Sequence, residues 1–108
     1  MSKKNLFAKL REGVERGLSV YGLTALIDEC TGFLRVGTNS ADDLIYVFAF
    51  RGALQHIRWI VDDEGFPEAS HRAKIENQYW PLLRAAVNEL DGTGKEALGE
   101  LLRGLCTH

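Results

Sequence analysis

Two cysteines and two prolines are all that the 108 residues contain. Cys30 and Cys106 stand far apart, with neither the paired spacing of a zinc site nor the dense framework of a disulfide scaffold. Folding therefore has to come from an apolar core, with Cys30 expected as a small buried hydrophobe and Cys106 as a loose tail thiol. Long apolar runs are missing too: no stretch reaches the roughly 18 uninterrupted apolar residues of a membrane span. The opening "MSKKNLFAKL" lacks the continuous apolar core of a secretory signal, so the expectation is a cytoplasmic protein with no membrane contact. A formal charge of −2 supplies no bulk attraction to nucleic acid or anionic lipid. Lys3, Lys4, Lys9, Arg11 and Arg16 outnumber Glu12 and Glu15 locally, and bases and acids at that spacing read as a solvated helix face.

Known site motifs are absent as well. His56, His71 and His108 do not cluster with the cysteines or acids, no glycine-rich phosphate loop follows a strand, and no serine has a nucleophile-elbow setting. These absences exclude the readily recognised metal, nucleotide and acyl-transfer chemistries, and the expectation is neither metal nor cofactor. Sustained alternation at period two is also lacking, which excludes a sheet-based fold apart from one rival, a strand over the β-rich residues 44–50.

What is present is helical periodicity punctuated by glycine and capping residues. Hydrophobic residues make up 45% of the chain, enough for one helical domain over residues 1–108. A first helix starts near Lys3 with Leu6, Phe7, Leu10, Val14 and Leu18 on one face. Gly13, Gly17 and Gly22 follow, and they predict a break near 17 or 22, or a close crossing. Leu23, Leu26, Ile27, Cys30, Phe33 and Leu34 form a second stripe, ended by "GTNS". Ser40 is an N-cap with Asp43 three residues on, so a third helix runs from Ala41 to Glu64 with Gly65 after its end. "GFPEAS" restarts the chain, and Ile75, Tyr79, Leu82, Leu83, Ala86 and Leu90 make a further stripe that Pro81 must kink or divide. Thr93 and Glu96 then cap a last helix carrying Ala97, Leu98, Leu101, Leu102 and Leu105. The fold class is all-α, a compact bundle of four to six helices around a long central one at about 41–64.

That central helix raises the functional question. On a wheel of about 100° per residue, Arg51, Gln55, Arg58 and Asp62 form a narrow polar stripe expected to face water. Phe50, Ala53, Leu54, Ile57, Ile60 and Val61 oppose it, and Ile45 and Trp59 widen the apolar surface further. So broad a face makes the helix either the hub of the bundle or partly a contact for a second chain. Its end, "DDEG", sets Asp62, Asp63 and Glu64 against the negative helix pole, where compensation would have to come from Arg58, from His71, Arg72 or Lys74, or from a basic partner.

Three functional readings follow. The leading one is protein–protein recognition by a compact helical bundle without catalysis, anchored on Phe50, Arg51, Arg58, Trp59, Asp62, Asp63, Tyr79 and Trp80, because arginine and aromatic residues are the usual anchors of interfaces. A homodimer or another protein is the expected partner. For a bacterium-like chain of this size, a regulator or inhibitor of the anti-activator, immunity or antagonist type is the expectation. Secondly, "RGALQH" resembles the arginine, four-to-six residues, histidine signature of the HEPN family of small all-helical ribonucleases and nucleotide-modifying toxins, although Gly52 stands where the family usually has a polar residue. The resemblance covers six residues and implies a dimeric RNA-cleaving enzyme, with His56 in acid–base chemistry and Arg51 steadying phosphate. Thirdly, His71, Lys74, Asn77 and Gln78 beside Tyr79 and Trp80 could contact nucleic acid, though Glu68 and Glu76 dilute the charge.

Overall fold

Residues 3–16, 20–36, 40–63, 73, 75–88 and 94–106 are described in the computed structural model, the side chains of Asp62 and Asp63 excepted. Among them every regular element is helical, in the order α1 (Lys3–Glu15), α2 (Val20–Leu34), α3 (Ala41–Asp63), a π-helical turn (Ile75–Tyr79), α4 (Trp80–Ala86) and α5 (Gly94–Cys106). The all-α bundle expected from periodicity is what forms, and residues 44–50 lie inside α3 and not in a strand.

Glycine is used in both of the expected ways. The first helix stops at Glu15, where the Arg16 N–H bonds the Gly13 carbonyl at 3.2 Å. Gly13 itself lies so close to Leu26 of α2 that a Cβ there would overlap the leucine Cδ2. Leu18 lies outside the described residues.

Ser40 caps α3 as its sequence context predicts, with the Asp43 N–H donating to Ser40 Oγ at 3.2 Å. The Asp43 carboxylate turns elsewhere and pairs with Lys3 Nζ at 3.0 Å, tying the start of α3 to the start of α1. The helix is described as far as Asp63; Glu64, Gly65 and the candidate partners His71, Arg72 and Lys74 lie outside the described residues.

Pro81 divides its element. It occupies the first turn of α4, directly after the π-helical turn. A proline there has no N–H to give and its ring would strike a carbonyl one turn back. A widened turn upstream relieves that clash while the chain stays helical. Val87 N–H closes α4 on the Leu83 carbonyl at 3.1 Å. Leu90 and the proposed cap Thr93 lie outside the described residues.

The core gathers stripes from every helix. Phe7, Phe33, Phe50 and Tyr79 are the largest fully enclosed side chains among the described residues. α3 packs on α2 and α5, α1 on α2 and α4, and α4 on α5. Tyr46 is the cross-brace: its ring tilts against Phe7 at 5.8 Å and its hydroxyl donates to the Ala86 carbonyl at 2.7 Å. One side chain of α3 thus reaches both α1 and the end of α4, and the helix is the hub of the bundle on those sides.

Candidate partner-docking surface

Packed on α2 and α5 and braced to α1 and α4 through Tyr46, α3 leaves one face open to water. Ile45, Phe48 and Trp59 are 68%, 67% and 60% exposed. With Gly52 and Gln55, also exposed, they recur at spacings of three, four, three and four. That is one seam along a helix. From Ile45 to Trp59 it runs for about 21 Å at roughly 1.5 Å per residue, and no charged residue lies on it.

The polar stripe expected to face water does not do so in full. Arg51 is half-buried and donates from Nε to Thr31 Oγ1 of α2 at 2.8 Å. Thr31 sits there because its own hydroxyl bonds the Ile27 carbonyl one turn back, at 3.0 Å. With its oxygen turned toward the guanidinium, the Gln55 amide accepts from Arg51 Nη1 and Nη2 at 3.3 Å. Arg58 is also half-buried, and its Nε is buried with no hydrogen-bond partner among the described residues. The solvent-facing direction of α3 is therefore rotated by roughly 60° from the Arg51–Arg58 stripe toward Phe48, Gly52 and Trp59. A guanidinium can be drawn inward because its stem is apolar and its fork finds acceptors on a neighbouring helix.

Three of the expected anchors are corrected outright. Phe50 and Tyr79 are completely enclosed and Trp80 is 5% exposed, so all three are core and none is available to a partner. Tyr79 moreover uses its hydroxyl within the chain, donating to the Gly104 carbonyl at 3.2 Å. Arg51 and Arg58 lie half-buried beside the seam, and Trp59 stands in it. The side chains of Asp62 and Asp63 are outside the described residues. Ile45 and Phe48, which no site assignment included, turn out to be the counterparts of Trp59. Their signal was the same alternating spacing of three and four, hidden by the surrounding hydrophobic residues.

Trp59 is held in place by its own helix, its ring edge-to-face with His56 at 5.8 Å. At the other end of the seam, a groove of about 310 Å³ lies beside Ile45 where α3 meets α5. Ala49, Tyr46 and Leu98 line it, together with the charged residues Asp42 and Lys95. Gly52, midway along, would place a Cβ in open space, with no atom within 4 Å.

The other two readings find less. Arg51 and His56 are five residues apart, about 140° around the helix, and serve different contacts, one with Thr31 and the other with Trp59. Asn77 and Gln78 do line an open groove with Glu100 and Arg103. Yet Tyr79 and Trp80, the rings that would stack on bases, face the core, and His71 and Lys74 are outside the described residues. Among the described residues, no three His, Cys, Asp or Glu side chains come together as a metal cluster, and no helix is long and apolar enough to cross a membrane. Burial pushes the Cys30 thiol up to about 12, against the opposing pull of Arg51.

No family model, curated protein or solved structure matches the chain.

Proposed function

We propose that the chain is a protein-recognition module that docks through the open face of α3. The single observation carrying this reading is the uncharged seam in which Ile45, Phe48 and Trp59 each keep most of their surface in water. Isolated exposed hydrophobics are ordinary on protein surfaces, but three in register on one helix are a patch. Together they expose roughly 450 Å². At about 25 cal/mol per Å² their burial is worth on the order of 10 kcal/mol gross, comparable to the roughly 4–15 kcal/mol that association costs. The seam is thus sufficient to nucleate an interface and needs its flanks, Arg51, Gln55 and Arg58, to complete one. The role we assign is occupation of a surface without catalysis, as in a regulator or inhibitor of the anti-activator, immunity or antagonist type.

A photo-reactive residue placed at Phe48 tests this in cells that make the chain, with the same residue at Ala8 on the exposed face of α1 as comparison. Protein adducts are expected from position 48 and not from position 8. Equal adduct formation at the two positions, or none at 48, would remove the docking surface.

A further inference from the structure

Counted outward from Gly52, the open face of α3 reads almost alike in both directions. Ile45 and Trp59 stand seven residues to either side, and Phe48 and His56 four. Equal counts along a helix are equal heights, about 10 Å and about 6 Å from the glycine. A two-fold axis through Gly52 would therefore lay one such face antiparallel on another, with Ile45 opposite Trp59 at both ends. Contacts of this isologous kind require a surface that complements itself. At the crossing point the absence of a side chain lets the two helices come close. Nothing in the chain's own packing asks for that glycine, since a Cβ there meets no atom within 4 Å.

We propose that the occupant of the α3 face is a second copy of this chain, paired antiparallel about Gly52, with Trp59 of each copy seated in the other's groove beside Ile45. The proposal rests on reading that face as the docking surface and adds what docks there. The groove lies at the height that Trp59 of the second copy reaches, and its volume of about 310 Å³ has room for an indole. Its walls, Ile45, Tyr46, Ala49 and Leu98, are apolar, while the carboxylate of Asp42 stands at the same place. A buried tryptophan needs an acceptor for its indole N–H, and Asp42 supplies one. The area also matches. The three large side chains bring roughly 900 Å² from the two copies; Gly52, Gln55, His56 and the groove walls extend that to the roughly 1,200 Å² at which specific interfaces begin.

Sedimentation equilibrium and one cross-link test the arrangement. Wild type is expected to be dimeric at about 100 µM and to dissociate on dilution. Gly52→Leu fills open space within the chain, so it should keep the helical circular-dichroism spectrum yet sediment as a monomer. Trp59→Ser removes an anchor that appears twice in a symmetric contact. At about 30-fold per site, it should raise the dissociation constant by about 1,000-fold. In a Cys106→Ser background, Gly52→Cys should oxidise to a disulfide-linked dimer, because the axis brings the two Cα atoms within the roughly 4.4–6.8 Å that a disulfide spans. Gly99→Cys, equally open but on α5, should not. Three results would overturn the pairing: a monomeric wild type, a dimer that survives Gly52→Leu, or equal cross-linking at 52 and 99. If the wild type is monomeric but position 48 still captures larger proteins, self-pairing fails and the docking surface stands. If position 48 captures nothing, both fail.

Discussion

Replacing Gly13 by alanine should weaken the fold, although alanine is the better helix former. In an open helix interior the exchange stabilises by about 1 kcal/mol, since glycine gives up the most backbone freedom on folding. Gly99, inside α5 with no atom within 4 Å of an added Cβ, is the reference site where only that gain applies. Gly13 receives the same gain and then meets Leu26, whose Cδ2 an added Cβ would overlap and whose Cγ it would approach to 3.2 Å. Leu26 is 3% exposed, so it can yield only by leaving its rotamer or by parting α1 from α2. Overpacking of that sort costs about 1–3 kcal/mol. Subtracting the propensity gain leaves Gly13→Ala unfavourable by about 0–2 kcal/mol.

The two alanine variants should consequently lie about 1–3 kcal/mol apart in urea unfolding, with Gly99→Ala above wild type and Gly13→Ala at or below it. In thermal melts that separation is on the order of 4–20 °C for a domain of this size. The cause can be isolated by adding Leu26→Ala, which alone creates a cavity costing about 2–5 kcal/mol. Gly13→Ala should then recover its favourable sign, with a coupling of about 1–3 kcal/mol between the two sites. Equal stabilisation by alanine at positions 13 and 99 would refute the claim that a close crossing at Gly13 joins α1 to α2.

Further outcomes follow from other contacts. Tyr46→Phe leaves the buried Ala86 carbonyl without its 2.7 Å donor and should cost about 1–2 kcal/mol in urea unfolding. A loss below about 0.3 kcal/mol would remove this bond as the brace between α3 and α4. The thiols should separate into two classes toward an aromatic disulfide reagent, with exposed Cys106 reacting at once and buried Cys30 only on unfolding. Burial raises the Cys30 thiol from its ordinary 9.0 to about 12. Its contribution to stability is therefore fully present below pH 9.0 and is lost as pH climbs from there toward about 12, because the unfolded chain releases that proton first. Cys30→Ala should flatten that stretch of the stability profile, and an unchanged slope would show that the thiol is not desolvated.

Local signals made most of the architecture legible. Ser40 followed by Asp43 located the start of α3 to the residue, because a cap is a short-range hydrogen bond written in adjacent positions. Pro81 announced a division because its ring forbids an ordinary helical turn, although nothing in the sequence marks that the relief takes the form of a π-helical turn. Tyr79 and Trp80 were ambiguous. An aromatic at helical spacing looks the same whether it fills a core or meets a partner, and only the completed bundle shows that these two are enclosed.

The rotational setting of α3 was the least legible feature, for a reason that bears on its use. A wheel assumes that charged groups point outward, which would place Arg51 and Arg58 in water. An arginine paired across helices reverses that assumption: Thr31 offers Arg51 an acceptor at 2.8 Å, and Thr31 is twenty residues away in the chain. Turning α3 to make that bond also satisfies Tyr46 with Ala86, two interhelical hydrogen bonds worth about 1 kcal/mol each or somewhat more. The same rotation lifts Phe48 and Trp59 out of the bundle. Leaving such rings wet forgoes roughly 1.5–3 kcal/mol apiece, so the two hydrogen bonds alone do not favour this setting. In a lone chain the rotation is at best evenly balanced, but burying both rings against another surface makes it the favoured one. The inward arginines and the outward aromatics are then a single arrangement, whose energetics the proposed pairing would complete.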